Sequence, residues 1–390
     1  MSDTFISESI KYIGADDTTL DLFESQYQVP NGVSYNSYVI LDEKVAVMDT
    51  IDARKSDEWF ANLSDALGER TIDYIVISHL EPDHAANIKA VADKYPAAKL
   101  VLSTKAKAML PQFFTIDNLD ERCITVADGQ ELSLGTHNLK FIMAPMVHWP
   151  EVMLEYETTE KVLFSADAFG KFGALSADED WTCEARRYYF NIVGKYGAPV
   201  QTLLKKAAGL DIQLICSLHG PIWRENLSYI IDKYDKWSKY EPEDKEVVMI
   251  YGSVYGHTEQ AVDALAGKLA EKGIRHIAVY DVSKTHVSEL IAEIFRASHI
   301  VIACATYNGG IYPPMENLLN DMKALSVQKR TVALMDNGTW APTAGKQIVK
   351  KLEEMKEMEL LTQQLSIKSV LKNDREAELD AFAQQIIDAM

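Results

Sequence analysis

Four side chains able to hold a metal fall within six residues, His79-Leu80-Glu81-Pro82-Asp83-His84. Imidazole nitrogen and carboxylate oxygen without thiolate suit iron, manganese or zinc better than copper or a sulfur cluster. Pro82 removes a backbone donor and fixes φ, so an extended run cannot continue through it and the side chains must splay. The largely apolar run Ile72–Ile77 precedes the group by a single serine, which reads as a strand opening onto a metal loop. The same residues also suit a solvated helix N-terminus, with Asp83 capping a helix that begins near His84. Ligands from elsewhere in the chain must decide between the two.

Three further candidates each sit where a strand has just ended. His148 follows the strand Leu139–Met143 within the aromatic-rich loop Pro145–Pro150, Asp167 follows Val162–Ser165, and His219 follows Ile212–Ser217 and precedes Gly220-Pro221. Alone, such a histidine is more often a hydrogen-bonded structural residue and such an aspartate a turn former. Four strand ends offering ligand types together favour a metal centre.

The elements that must position these residues follow from periodicity. Strands are expected over Val33–Leu41 and Val45–Met48, split by Asp42-Glu43, then a helix over Ser56–Leu67 and the strand Ile72–Ile77. An amphipathic helix near Ala85–Lys94 and strands at Leu100–Ser103, Ile124, Leu132–Leu134 and Leu139–Met143 complete a layered α/β pattern. Between Lys236 and Glu246 the chain turns polar, which predicts a linker and a division into 1–245 and 246–390. Beyond it the order is regular: strands Val247–Tyr251, Ile277–Tyr280, Ile300–Cys304 and Val332–Met335, with a weaker one between Leu361 and Val370. They alternate with helices Glu259–Lys272, Val287–Phe295, Met315–Met322, Gly345–Lys356 and Glu376–Ala389. That alternation predicts a doubly wound parallel sheet whose ligands bind beyond the carboxyl ends of the strands.

Three loops occupy those ends. Ser253-Val254-Tyr255-Gly256-His257-Thr258 combines hydroxyls, a glycine and a helix start, which suits a phosphate; it lacks the lysine of a nucleoside-triphosphate loop. Thr306-Tyr307-Asn308-Gly309-Gly310 and Asn337-Gly338-Thr339-Trp340 add polar backbone and two aromatic rings, as a planar heterocycle such as a flavin requires. Ordinary glycine turns are the plainer reading of each loop, but all three agree.

Composition narrows the classes. The 390 residues are 47% hydrophobic and 25% charged, globular averages that suit two domains. A net charge of −19 argues against nucleic acid. The acidic stretch Met1–Glu8 lacks the features of a signal peptide and no run is long enough for a membrane span, so a cytoplasmic protein is expected. Cys123, Cys183, Cys216 and Cys304 form no CxxC pair and are expected to be small buried residues.

With these residues in view, the chain resembles the flavodiiron proteins (A-type flavoproteins) along essentially its whole length. The resemblance implies a metallo-β-lactamase-like αββα sandwich followed by a flavodoxin-like domain. In hydrolytic two-zinc relatives the loop usually reads His-x-His-x-Asp-His. Glu81 replaces the second histidine here, a harder anionic ligand that suits iron. Carried over by position, the resemblance puts His79, Glu81, His148 and Asp167 on one iron and Asp83, His219 and the shared Asp167 on the other. His84 falls at a position that coordinates in some members and is displaced in others. The three C-terminal loops become FMN-binding, with Ser253 to Thr258 on the phosphate, Trp340 near the isoalloxazine, and Gly309, Gly310 and Tyr312 at the flavin edge. Tyr196 is the candidate donor to bound oxygen, with core packing as its plainer role.

The implied activity is reduction of O2 to water, of NO to N2O, or of both, by electrons that pass from a redox partner through FMN to the diiron centre. No rubredoxin or reductase module follows the flavodoxin-like segment, so a separate donor is expected: rubredoxin, a flavin reductase or a reduced deazaflavin coenzyme. The family's head-to-tail dimers imply a homodimer or homotetramer. The rivals are a metallo-β-lactamase-superfamily zinc hydrolase carrying a flavodoxin module and a non-catalytic electron-transfer flavoprotein.

Overall fold

The structure, a computed structural model, describes residues 4–390; residues 1–3, the start of the acidic N-terminal stretch, lie outside the described part. The chain divides into two units, Met1–Tyr189 with Tyr196–Asp235, and Phe190–Lys195 with Lys236–Met390. The polar run from Lys236 to Glu246 and the short segment Phe190–Lys195 therefore both belong to the second unit.

The first unit is built on two sheets. One has six strands in the order Ile10–Tyr12, Tyr38–Leu41, Val45–Met48, Tyr74–Ile77, Lys99–Ser103, Cys123–Val126; its first two pairings are antiparallel and the rest parallel. The other has five, in the order Glu131–Ser133, Asn138–Met143, Met153–Glu157, Val162–Phe164, Leu214–Cys216, antiparallel except for the last pair. Alternate residues of both sheets meet in one core: Tyr38, Ile40, Ala46, Met48, Val76 and Val101 from the first, Leu139, Phe141, Met153, Val162, Phe164 and Cys216 from the second. This period of two fixes which face of each strand turns inward. Helix Ser56–Leu67 forms where its pattern predicts, burying Trp59, Leu63 and Leu67 at spacing four.

The strand expected over Val33–Leu41 is broken at Asn36-Ser37. Asn36 turns inward to donate to the carbonyls of Ser217 and Gly220, so Val33–Tyr35 leaves to pair with Ala15–Asp17. The helix expected near Ala85–Lys94 is two pieces, Pro82–Ala85 and Ile88–Lys94.

The second unit is a parallel sheet in the order Ile277–Asp281, Asp244–Gly252, Ala297–Tyr307, Arg330–Asn337, Met358–Leu360. The second strand lies outside the first, so the order reverses between Asp244–Gly252 and Ala297–Tyr307, the switch point where such sheets bind ligands. The weak strand expected between Leu361 and Val370 is two short ones, Met358–Leu360 and Leu365–Ile367, both paired with Arg330–Asn337. Among the cysteines, Cys216 and Cys304 are buried, but Cys183 is exposed and Cys123 half-buried, because both lie at the edge of an outer element rather than in a core strand. No helix among the described residues is long and apolar enough to cross a membrane.

Candidate metal centre and ligand pocket

In the five-stranded sheet, Asn138–Met143, Val162–Phe164 and Leu214–Cys216 run in the same direction, so their carboxyl ends share an edge. His148, Asp167 and His219 follow those ends, and His79 follows the carboxyl end of Tyr74–Ile77 in the facing sheet. The chain turns sharply at Ala166, whose φ of +48° is costly for an alanine and brings Asp167 inward. Pro82 is the first residue of the one-turn helix Pro82–Ala85. Asp83 lies inside that turn, buried, and Glu81 makes no side-chain cap, so the helix exists without the solvated capping role.

Two ligand groups result: His79, Glu81, His148 and Asp167 in one, and Asp83, His84 and His219 in the other. In the first, Glu81 Oε2 is 3.2 Å from His79 Nε2 and 2.9 Å from His148 Nε2. Asp167 Oδ2 is 3.4 and 3.2 Å from the same two nitrogens. In the second, Asp83 Oδ2 is 3.2 Å from both His84 Nε2 and His219 Nε2, which are 3.1 Å apart. Asp167 turns its other oxygen, Oδ1, to this group, 3.0 Å from His84 Nε2 and 3.8 Å from His219 Nε2. Donors about 2.1 Å from a common cation stand roughly 3 to 3.4 Å from each other, so the spacing fits metal ions.

The donor chemistry fits as well. Both carboxylate oxygens of Asp83 and of Asp167 are sealed from solvent without a hydrogen bond of normal geometry, a costly arrangement unless a cation takes their lone pairs. Burial works against the Asp167 carboxylate, yet His84 and His148 hold it well below the usual range. Burial also disfavours charge on His84, but Asp83 and Asp167 push it to about 9. His148 reaches about 9 in the same way, against burial and through Asp167 and Glu81. The carboxylates thus demand positive charge at the centre of both groups.

Outer contacts aim the imidazoles. His79 Nδ1 is 2.8 Å from Glu151 Oε1, which also accepts from Leu80 N, and His219 Nδ1 is 2.7 Å from the Ser34 carbonyl. Donation from Nδ1 leaves each Nε2 lone pair facing the group. His84 points its Nε2 inward too, but its Nδ1 is buried with no partner, which sets it apart from the other two. Glu151 was legible in principle, as an acid three residues past His148; the Ser34 carbonyl carries no sequence signal.

The structure sets a different tyrosine against a ligand from the one singled out in the sequence. Tyr196 is half-buried at the start of helix Gly197–Ala207, whereas Tyr188 is buried with its ring 5.4 Å from that of His219. Burial and then the Asp167, Asp83 and Glu81 carboxylates push the Tyr188 phenol far up, so it keeps its proton beside the ligands. Hairpin Leu22–Phe23 with Tyr27–Gln28, whose turn residues Glu24 and Ser25 have φ of +49° and +59°, sets Phe23 edge-on to His219 at 5.4 Å. Burial and the Glu81 carboxylate push Glu24 up to about 7.

In the second unit the three loops converge on one pocket of about 490 Å³. It is lined by Ser253, Val254, Tyr255, His257, Thr258, Thr306, Tyr307, Asn308, Gly309, Asn337, Gly338, Thr339 and Trp340, together with Ala305, Ala341, Thr343 and Ser369, which the sequence reading missed. Gly256 supports the lining from behind: at φ +88° it caps helix His257–Glu271, whose first N–H groups receive no side-chain cap. Such orphan N–H groups form an anion cradle. Asn308 and Gly309, at φ +51° and +74°, turn the hairpin of Tyr307 and Gly310. Tyr312 stands apart from the lining, packing where a Cβ on Gly252 would fall and reaching Ser283 Oγ at 3.1 Å. Ser369 joins the pocket because Asn337 clasps it, donating to its carbonyl and accepting from its N–H. Tyr255 and Trp340 are 90% and 91% exposed, leaving two flat faces at the rim free to cover a planar ligand.

Both halves match known domains, residues 33–220 the ODP family beta lactamase and residues 249–381 flavodoxin. An uncharacterized protein of Methanocaldococcus jannaschii is 33% identical over 82% of this chain and 81% of its own length. An anaerobic nitric oxide reductase flavorubredoxin of Vibrio vulnificus is 30% identical over 86% of this chain and 70% of its own. The solved rubredoxin oxygen:oxidoreductase of Desulfovibrio gigas, 28% identical, superposes with a TM-score of 0.91 over 99% of this chain and 98% of that one. The flavodiiron protein of Giardia intestinalis, at 24% identity and a TM-score of 0.91, shares the fold. A carboxylate-rich two-group centre in a β-lactamase-like unit, followed by a flavodoxin-like unit and matched end to end by these relatives, has one family home: the chain belongs to the flavodiiron family of flavin- and iron-containing oxidoreductases.

Proposed function

We propose that this oxidoreductase reduces a small diatomic gas, O2 to water or NO to N2O, at a diiron centre supplied with electrons through FMN. The observation that carries the reading is Asp167, a single buried carboxylate with one oxygen toward each ligand group. A relative named for nitric oxide reduction and another named as an oxygen:oxidoreductase support the two gases.

In this reading His79, Glu81, His148 and Asp167 would hold one iron, and Asp83, His84, His219 and the shared Asp167 the other. Glu81 in place of an imidazole makes the set harder and more anionic, favouring iron over zinc. When bound, the irons supply one-electron reduction of the gas and the flavin supplies storage of an electron pair. The chain's own residues do the rest. Glu151 and the Ser34 carbonyl fix the tautomers of His79 and His219. Phe23 and Tyr188 wall His219 with aromatic rings and exclude water. Tyr188 keeps its O–H within the field of the Asp167, Asp83 and Glu81 carboxylates, a candidate donor for a reaction that consumes protons. The N-terminus of His257–Glu271 with Ser253 and Thr258 would take the FMN phosphate, and Tyr255, Tyr307 and Trp340 would flank the ring system.

A separate electron donor, rubredoxin, a reductase or a reduced deazaflavin coenzyme, and a homodimer or homotetramer in the cytoplasm complete the proposal. The test is anaerobic reduction of FMN- and iron-loaded protein followed by separate O2 and NO pulses. Reoxidation with stoichiometric water or N2O is the expected result; no gas-dependent reoxidation by either would end the reading.

A further inference from the structure

Behind the metal loop lies a buried polar group that the reduction chemistry does not use. Ser78, the residue before His79, places its hydroxyl 2.5 Å from Asp49 Oδ2 and 2.9 Å from Glu155 Oε2. Its N–H donates to Asp49 Oδ1 at 2.8 Å. Ser78, Asp49 and Glu155 are 1%, 2% and 0% exposed, so water cannot arbitrate among them.

The proton count decides their states. A serine hydroxyl carries one proton and can donate to one of the two carboxyls. The other contact then sets oxygen against oxygen in a dry interior unless that carboxyl brings a proton of its own. Asp49 already receives the Ser78 N–H, so it is the better anion. Glu155 has no second donor: its Oε1 is sealed without a partner, and its register neighbours across the strands are Phe141 and Phe164. The missing proton therefore belongs on Glu155.

We propose that Glu155 is a positioning residue held as a neutral carboxylic acid. It donates to Ser78 Oγ, which donates to Asp49, so that a directed chain of protons fixes the entry to the metal loop. Three carboxylates already face the two ligand groups, and Glu151 adds a fourth against His79. A neutral acid anchors the loop without adding another anion. Electrostatics agree: burial, and then the Asp49 carboxylate, hold Glu155 well above the usual range. Asp49 is raised by burial to about 6, with Ser78 and then His84 drawing it back. The ionisable groups around the chain are thus Asp49 and, beyond it, His84 and His79. The raised Glu155 contributes stability below the ordinary glutamate value of about 4.3. That stability is lost as pH rises through the folded-state value.

The experiment has two arms, both on the full-length protein carrying its own metal and flavin. The first is infrared spectroscopy at pH 7 with 13C-glutamate labelling. A protonated-carboxyl C=O band should shift with the label and lose a component in Glu155→Gln. Glu24, raised to about 7, contributes to the same region, so the reading is the labelled component that Glu155→Gln removes; if no such band exists, or if Glu155→Gln leaves its intensity unchanged, the assignment is overturned. The second arm compares metal retention under chelator challenge. Glu155→Gln, which can still donate to Ser78, should bind metal like the wild type, and Glu155→Leu should bind it about 10-fold more weakly. Equal losses in the two variants would refute the positioning role. The second arm rests on the metal-site reading; the first does not, so failure of the proton assignment and failure of the diiron reading are distinguishable.

Discussion

Asp167 is the residue on which the two ligand groups depend together. Its two oxygens face different groups, both are sealed, and no hydrogen bond of normal geometry satisfies either. Replacing it with asparagine removes the shared anion and puts an amide donor where a cation should sit. Asp167→Asn should therefore lose both metals together, with gas consumption down at least about 100-fold. Loss of only one metal per chain, read by elemental analysis, would show that the groups are independent. The residues first singled out for their chemistry, His79 to His84, His148, Asp167 and His219, were legible because each is a ligand type at a strand end. Residues that act through them were less so: Ser34 reaches His219 through its backbone carbonyl, and the run from Tyr188 to Tyr196 has no periodicity to say which tyrosine turns inward.

At the scale of elements, periodicity found what is amphipathic and missed what is not. Helices Ser56–Leu67 and Glu376–Ala389 lie at their expected bounds. Strand Met153–Glu157 escaped because it is buried on both faces while containing Glu155 and Glu157, so its sequence reads as polar. Helix Trp181–Tyr188 hides behind two buried arginines, and Gly197–Ala207 begins Gly-Ala-Pro, which resembles a break but is a tolerated first turn. A pair of turns shows a link that no local pattern encodes. His137, beside the turn of the second sheet, sits 2.9 Å from Asp42 of the first sheet and 3.1 Å from Glu160, one carboxylate on each ring nitrogen. Burial opposes its charge, but Glu160 and Asp42 raise its pKa overall. Its contribution is complete below the ordinary histidine value of about 6.5 and fades as pH climbs through the raised value. His137→Gln should cost about 1 to 3 kcal/mol at pH 6 and less at alkaline pH, seen as Tm curves that converge. In the second unit, Gly256→Ala meets no close atom but must adopt φ +88°. A cost of about 1 to 2 kcal/mol at the cradle should weaken FMN binding about tenfold or lower Tm correspondingly, as flavin fluorescence titration and melting would report.

For the whole molecule, the sequence gives two modules in the right order, while the division is less simple than a single cut at a polar linker. Phe190 stacks on Phe295 with centroids 3.8 Å apart, Asn191 donates to the Ser288 carbonyl, and buried Arg330 donates to the Tyr240 carbonyl, all within the second unit. A fragment beginning at residue 246 lacks Phe190, Asn191 and Tyr240. It should bind FMN but melt below the flavin transition of the intact chain; equal melting temperatures would show that these contacts carry no weight. The most direct test of what the two units hold is the metal and flavin content of the intact protein purified without oxygen from cells supplied with both iron and zinc. Two irons and one FMN per chain is the predicted result. Two zincs, no iron and turnover of ester substrates would contradict the account.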